Sequence, residues 1–210
     1  MQFNLPTEDL FSYQAADHGH VPLHLGRKSS QLVFLNEIEL GADFIQSRFG
    51  IPARRFPDRN FIGIDIKGNR LWKGAKTALD DKLGNVAFLR TRIDYIDKAF
   101  GPDEVEEIWI TFPDPQKEKA KKRLTHPMFL ARYRKFLKPG AVIHLKTDNE
   151  LLFEYTLGVI SKENHVLLDS TNDLYENKQG SEEAGETQTF YEKIYLKAGK
   201  KIKYLKFRID

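Results

Sequence analysis

The sequence predicts an α/β fold in which a mostly parallel sheet carries helices on both faces. Two observations lead to this prediction. Short apolar runs, typical of buried strands, alternate with segments of helical periodicity along most of the 210 residues. This alternation is typical of strands that pair in parallel through crossover helices. Hydrophobic residues make up 40% of the chain, so a single domain of this length can bury a core.

The elements are predicted in a regular order along the chain. Residues 1–30 mix proline, glycine and histidine, and are predicted to form an irregular N-terminal arm before a domain at 31–210; the histidines of the arm are interpreted as polar residues rather than metal ligands. Apolar, β-branched or aromatic runs predict strands at 32–35, 61–65, 85–89, 108–112, 141–145, 166–168 and 203–209. Apolar residues three or four positions apart predict helices at 69–79, 93–100, 128–137 and 150–162. The last strand is expected to add an antiparallel edge.

Basic residues are concentrated in two segments, although the net charge is only +3. Residues 117–138 contain nine Lys or Arg and one Glu, and residues 197–208 contain six with no acid. A one-sided positive surface is typical of proteins that bind nucleic acid, and lysines that only keep a helix soluble are the alternative. The chain has no cysteine, which excludes disulfides and cysteine-bound metals and favours the cytoplasm. No apolar run approaches the roughly 20 residues that span a membrane.

The two-proline turn at 113–115 is the strongest local signal. It directly follows the predicted strand at 108–112, and each proline fixes its own backbone torsion. Asp114 is therefore predicted to lie in a stiff turn at the carboxyl end of a strand, where open α/β sheets bind their ligands. The basic segment begins at Lys117, so the carboxylate is expected beside a surface that binds a polyanion. A surface turn before a solvated basic helix is the alternative.

Two further predicted strands lead into an acid, at Asp65 and Asp148. Because parallel strands place their carboxyl ends at one edge of a sheet, these carboxylates are expected to converge with Asp114. An acid at the end of the second strand of a Rossmann-like unit typically accepts hydrogen bonds from a ribose diol, and this role is predicted for Asp65. A helix N-cap or an ordinary loop acid is the alternative for that residue.

Five segments of the chain together resemble the bacterial tRNA (guanine-N7-)-methyltransferases. They are FIGID at 61–65, TFPDP at 111–115, KRLT at 122–125, HLKTD at 144–148 and TFYE at 189–192. The resemblance covers about residues 54–210. It implies a Rossmann-like S-adenosylmethionine-dependent methyltransferase fold, with S-adenosylmethionine as cofactor, tRNA as partner and guanine N7 as the methylated atom. It further implies a cytoplasmic protein, which we expect to be a monomer or a homodimer.

The resemblance also implies roles for individual residues. Asp114 matches the catalytic-site aspartate of the family, and we expect it to orient the guanine and stabilise charge rather than to remove a proton. The residues expected at the cofactor are Glu39, Gly41, Asp65, Arg92 and Asp114. Those expected at the substrate are Lys117, with Lys119 as the alternative lysine, Asp148, Thr189, Phe190, Tyr191 and Glu192. The basic residues of 117–138, including Lys121, Lys122 and Arg123, are expected to hold phosphates.

The glycine loop departs from the family pattern. The chain reads Glu-Leu-Gly-Ala-Asp from Glu39, so only Gly41 is kept, and Asp43 adds a negative charge near the expected cofactor carboxylate. An impaired loop would leave a non-catalytic RNA-binding protein that retains the methyltransferase fold, which is the alternative function. A sequence error upstream of Arg54 is a second explanation of the same departure.

Overall fold

The computed structural model describes residues 30–35, 51–176, 184–185, 188 and 190–209. Within them, seven strands form one sheet: β1 (Ser30–Leu35), β2 (Arg59–Asp65), β3 (Val86–Arg90), β4 (Val105–Thr111), β5 (Leu137–Thr147), β6 (Val166–Thr171) and β7 (Lys203–Arg208). The helices are α1 (Ile51–Arg55), α2 (Gly68–Asp80), α3 (Pro127–Tyr133), α4 (Glu150–Lys162) and α5 (Phe190–Lys197), with short 3-10 helices at Ile93–Lys98 and Ala120–Lys122. In this part of the chain, no helix combines the length and apolar character needed to cross a bilayer.

The predicted N-terminal arm lies outside the described residues, apart from Ser30 at the start of β1. The same is true of Glu39 and Gly41, so the cofactor roles implied for them stay predictions. The segment between β1 and α1, which would contain the altered glycine loop, is likewise not described.

The strands are ordered β3-β2-β1-β4-β5-β7-β6 across the sheet. β1 to β5 pair in parallel, whereas β7 is antiparallel to both β5 and β6. The mostly parallel sheet predicted from the sequence is thus confirmed. The order reverses at β1, between its neighbours β2 and β4, and α/β sheets bind ligands at such a switch point.

Alternate residues of the central strands face two separate apolar cores, one on each side of the sheet. In β4, Ile108 and Ile110 pack with residues of α3 and α4, whereas Trp109 packs with Ala53 of α1 and Ala78 of α2. Both faces of the sheet are therefore covered by helices, as predicted. Removal of this apolar surface from water is the main contribution that holds the strand ends in place.

The start of β5 differs from the prediction. The sequence predicts a helix that runs to residue 137 and ends at Pro139 and Gly140, but α3 stops at Tyr133 and β5 already begins at Leu137. The pairing of β5 with β4 shifts register here and resumes at Val142. Proline is tolerated at such an irregularity because its missing N–H is not needed, and Gly140 has a φ of 80°, which favours glycine.

The position of the last strand also differs from the prediction. β7 is antiparallel, as expected, but it lies inside the sheet between β5 and β6 rather than at an edge. Tyr204, Leu205 and Phe207 are fully buried, because an internal strand is covered on both faces. β6 takes the edge, where Leu167 and Leu168 remain exposed.

Candidate active site at the carboxyl edge of the sheet

The structure places the three predicted carboxylates at one edge of the sheet. Asp65 is the last residue of β2, Asp148 directly follows β5, and Asp114 lies three residues beyond the end of β4. These strands run in the same direction, so their carboxyl ends share an edge. β1 lies between β2 and β4, so the point where the strand order reverses lies between the strand that ends at Asp65 and the strand that precedes Asp114.

Asp65 is buried, and its carboxylate is held from two sides. Its Oδ1 accepts the backbone N–H of Lys67 at 2.8 Å, and its Oδ2 lies 3.0 Å from Nη1 of Arg70. Burial raises the pKa of Asp65, and the hydrogen bonds from Lys67 and Arg70 oppose this rise. A carboxylate offers about four acceptor sites, so these contacts orient Asp65 and leave lone pairs for the hydroxyls of a ligand. Lys67 is the N-cap residue of α2, so the hydrogen bond from its backbone N–H to Asp65 is also consistent with the alternative in which Asp65 helps to cap that helix.

A cavity of 540 Å³ opens beside Asp65. Small-molecule sites in proteins range from about 300 to 1,000 Å³, so an organic ligand of moderate size fits. Ile66 contributes apolar surface and is 50% exposed, while Arg92 and Lys122 contribute positive charge. The cavity extends to Gln116 in the two-proline turn, and so connects the end of β2 with the surroundings of Asp114.

The predicted cofactor residue Arg92 lines this cavity together with Asp94, which the sequence reasoning missed. Nη2 of Arg92 lies 3.1 Å from Oδ2 of Asp94, so a cation and an acid stand side by side beyond the end of β3. Asp94 lies in the first turn of the 3-10 helix at Ile93–Lys98. An acid a few residues after a strand end was the signal that could have identified it.

Asp114 is exposed, and the turn that carries it has an unusual backbone. Phe112 and Gln116 have φ angles of 48° and 46°, in the left-handed region. A residue with a side chain pays about 1 kcal/mol or more to adopt this conformation. Oδ1 of Asp114 accepts the backbone N–H of Gln116 and Oδ2 accepts its side-chain N–H, both at 2.9 Å. The backbone N–H of Phe112 donates to the carbonyl of Lys146 at 2.7 Å, which ties the turn to β5.

Arg123 lies behind this turn and does not belong to the exposed basic surface. Its guanidinium donates to the backbone carbonyls of residues 115–117 at 3.0, 3.4 and 3.3 Å, and the residue is only 6% exposed. The preceding Lys121 and Lys122 are exposed. These contacts direct Nε and Nη2 of Arg123 to the protein backbone, so the expectation that Arg123 holds phosphate with its lysine neighbours stays a prediction, which its burial disfavours.

A buried ion pair joins β5 to α5 at the same edge. Lys146 and Glu192 are fully buried and pair with each other. The hydroxyl of Tyr175 donates to Oε1 of Glu192 at 2.7 Å and accepts from Nζ of Lys146 at 3.2 Å. The same Nζ donates to the carbonyl of Ala184 at 2.7 Å, so Lys146 holds three later segments against the sheet. In this arrangement the carboxylate of Glu192 is buried and bonded within the protein. The substrate contact that the resemblance implies for Glu192 stays a prediction.

Asp148 lies at the outer part of the edge, where Nζ of Lys200 pairs with its Oδ2 at 2.7 Å. The hydrogen bond that Lys200 donates to Asp148 raises the pKa of Lys200. The adjoining Asn149 accepts the backbone N–H of Leu152 and so caps α4, which fixes the chain just after Asp148. Of the remaining residues expected at the substrate, Lys117 and Lys119 are exposed beside the two-proline turn, Phe190 and Tyr191 begin α5, and Thr189 lies outside the described residues.

Comparison with known proteins identifies the family. A family model described as "Putative methyltransferase" matches residues 46–205. The tRNA (guanine-N(7)-)-methyltransferase of Bacteroides thetaiotaomicron is 44% identical over 203 residues, which cover 95% of this chain and 79% of that protein. The enzyme of the same name from Christiangramia forsetii is 52% identical over 159 residues, which cover 75% of this chain and 71% of that protein. The chain belongs to the tRNA (guanine-N7-)-methyltransferase family. The resemblance inferred from five short segments is thus confirmed.

The likeness to this family also extends further than expected. The alignment with the Bacteroides thetaiotaomicron enzyme covers 95% of the chain, so it includes residues upstream of Arg54. This relative extends the likeness beyond the predicted boundary, whereas the alignment with the Christiangramia forsetii enzyme covers only 75% of the chain. The hypothesis of a sequence error upstream of Arg54 stays a prediction.

Solved structures of methyltransferases share the fold. The 16S rRNA methyltransferase KamB superposes with a TM-score of 0.61 at 14% identity, covering 86% of this chain and 88% of its own. An S-adenosylmethionine-dependent methyltransferase from Aquifex aeolicus superposes with a TM-score of 0.54 at 11% identity, covering 86% and 82%. At such low identity these neighbours show the fold alone, and they confirm the predicted Rossmann-like methyltransferase architecture.

Proposed function

We propose that the protein transfers a methyl group from S-adenosylmethionine to N7 of a guanine in tRNA, in the cytoplasm. The observation that carries this proposal is one shared edge of the sheet. There a buried acid beside a ligand-sized cavity, a fixed and exposed carboxylate, and a row of exposed lysines lie next to one another. The named activity of the relatives supports the same reaction.

The residues around the cavity fit the adenosine part of S-adenosylmethionine. Asp65 has acceptor capacity for the two hydroxyls of a ribose, and the exposed side chain of Ile66 offers apolar surface to a purine ring. Arg92 and Asp94 line the same cavity and would bond the polar edge of that ring. When bound, S-adenosylmethionine supplies an electrophilic methyl group on a sulfonium, with a neutral thioether as the leaving group.

Guanine N7 carries an available lone pair, so no base has to remove a proton before attack. The task of the protein is to hold N7 in line with the methyl group and to stabilise the positive charge that develops on the imidazole ring. Asp114 suits this task because its carboxylate is fixed by Gln116 yet exposed. Asp148, which pairs with Lys200, is a second carboxylate near the end of β5.

The lysines at 117, 119, 121 and 122 are exposed and suit the phosphates of tRNA. We expect replacement of Lys121 and Lys122 with methionine to weaken RNA binding and to flatten its salt dependence. Each phosphate contact contributes about 0.7 to 0.9 to the slope of log K against log salt, so the slope should fall by about 1.4 to 1.8. Binding isotherms measured across a salt series check this.

Lys162→Met is the matched control for the two lysines. Lys162 is exposed at the end of α4, and α4 starts at the carboxyl edge and runs about 20 Å away from it. Its replacement should leave the slope unchanged. An equal slope for the wild type and the Lys121/Lys122 variant would show that these lysines only solvate the surface.

The direct test of function is nucleoside analysis of tRNA incubated with the full chain and methyl-labelled S-adenosylmethionine. We expect label in 7-methylguanosine and in no other nucleoside. Isothermal calorimetry with S-adenosylmethionine addresses the non-catalytic alternative, which rests on the glycine loop around Gly41. RNA binding without cofactor binding and without label would establish that alternative and overturn the methyltransferase proposal.

A further inference from the structure

The cationic side chain of Arg123 holds the two-proline turn from the side of the protein core. Arg123 directs Nε to the carbonyl of Pro115 at 3.0 Å and Nη2 to the carbonyls of Gln116 and Lys117 at 3.4 and 3.3 Å. These three consecutive carbonyls follow Asp114 directly. The proline at 115 has no N–H to pair in a ladder, so this stretch of backbone depends on contacts of another kind.

The guanidinium also rests on a helix of the core. It lies 4.3 Å from the centroid of the Tyr155 ring in α4, a distance typical of a cation–π contact. The next residues are equally fixed, since the hydroxyl of Thr125 bonds that of Thr156 at 2.8 Å and Leu124 is buried. Arg123 therefore packs on a fixed part of the core, which is called the base below, and it also bonds the backbone of the turn.

This base connects the carboxylates of Asp114 and Asp148 at the edge. Asn149, directly after Asp148, is the N-cap of α4, and Tyr155 lies about one and a half turns into that helix. Arg123 therefore contacts both the turn that bears Asp114 and the helix that starts beside Asp148. A shift of the turn would change the separation of the two carboxylates.

We propose that Arg123 is a positioning residue for methyl transfer, which sets the direction of the Asp114 carboxylate and makes no contact with RNA. This inference rests on the proposed function, because it assigns Asp114 to the reacting guanine. It separates Arg123 from Lys121 and Lys122, which sequence composition alone groups with it. Those two lysines are exposed and line the cavity, whereas Arg123 is buried.

The test compares Arg123→Lys and Arg123→Gln with the wild type and with Lys122→Met. A lysine keeps the charge but lacks the planar fork that reaches three carbonyls and stacks on a ring. We expect kcat to fall about 10- to 100-fold in both Arg123 variants, as for misplacement of a catalytic group by about 1 Å. The KM for tRNA and the salt slope of binding should stay within error. Lys122→Met should show the opposite pattern, with a higher KM and a shallower slope.

Hydrogen exchange gives a readout that does not depend on turnover. The backbone N–H of Gln116 is protected by Oδ1 of Asp114 at 2.9 Å. Its exchange should accelerate in both Arg123 variants and stay unchanged in Lys122→Met. If Arg123→Gln does not fold, Arg123→Lys carries the comparison, since it retains the buried charge.

Two outcomes would overturn the inference. A raised KM and a flatter salt slope with unchanged kcat would make Arg123 an RNA contact. Unchanged kinetics and unchanged Gln116 exchange would show that the anchor is dispensable. An inactive wild type would overturn the proposed function instead, and the wild-type reaction run in parallel distinguishes the two failures.

Discussion

Replacement of Asp114 with asparagine is expected to lower kcat about 100- to 1,000-fold while the protein stays folded. The amide keeps an oxygen that can accept the backbone N–H of Gln116, so this contact of the turn is retained, whereas the negative charge and the acceptor for the side-chain N–H of Gln116 are lost. Loss of a fixed electrostatic partner of a transition state has an effect of this size. Because Asp114 is exposed, the free energy of unfolding should change by less than about 0.5 kcal/mol.

Single-turnover rates of methyl transfer and thermal unfolding curves measure the two parts of this expectation. Asp114→Ala should lose turnover at least as strongly, since it also removes both contacts with Gln116. Asp58→Asn is the matched control, because Asp58 is also an exposed aspartate after a proline, but it precedes β2 at the opposite edge. Normal methylation of tRNA by Asp114→Asn would refute the role assigned to its charge.

The position of Asp114 and its partners at one edge was predictable from the sequence for a simple reason. Strand direction follows from the alternation of strands and helices, and direction alone decides which ends meet. The limits of α4 were predictable as well, since Asn149 caps its start and its apolar face is continuous. Local sequence patterns were sufficient to predict the elements whose structure depends on their own residues alone.

Features that depend on distant segments were not predictable in this way. β7 is internal because β6 pairs on its far side, and no pattern within residues 203–209 records that neighbour. The strand that contains Pro139 was mistaken for a helix end, since the register shift that tolerates the proline belongs to the pairing with β4. Propensity is a local property, whereas strand order is set by tertiary packing.

The same limit applies to the charged residues of the site. Arg123 follows Lys121 and Lys122 in the chain, yet burial gives it a different partner and a different proposed role. The pairing of Lys146 with Glu192 was also not predicted, because the two residues lie in segments that are far apart in the sequence. Lys146 lies in the same strand as the apolar residues at 141–145, where full burial of a lysine is uncommon. A charged residue in such a strand was the available signal for a buried partner.

The ion pair of Lys146 and Glu192 is expected to show the largest effect on stability. Removal of one partner from a buried pair leaves an uncompensated charge and costs about 3 to 5 kcal/mol. Lys146→Met and Glu192→Leu should each lower the unfolding midpoint by about 10 °C, given about 2 to 4 °C per kcal/mol in a domain of this size. Both variants should also lose turnover, because Tyr175, Ala184 and α5 lose their common anchor at the edge.

The double variant Lys146→Met/Glu192→Leu separates stability from function. No charge remains buried and unpaired in it, so we expect most of the lost stability to return, as a double-mutant cycle with strong coupling. Additive losses in the double variant would contradict a direct pair. The turnover of the double variant then decides the role of Glu192. If turnover recovers with stability, the carboxylate of Glu192 only stabilises the fold. If turnover stays low while stability is restored, the result supports the contact with substrate that the family resemblance implies. The measurement works because the pair stabilises the edge through charge balance, while substrate contact requires the carboxylate itself.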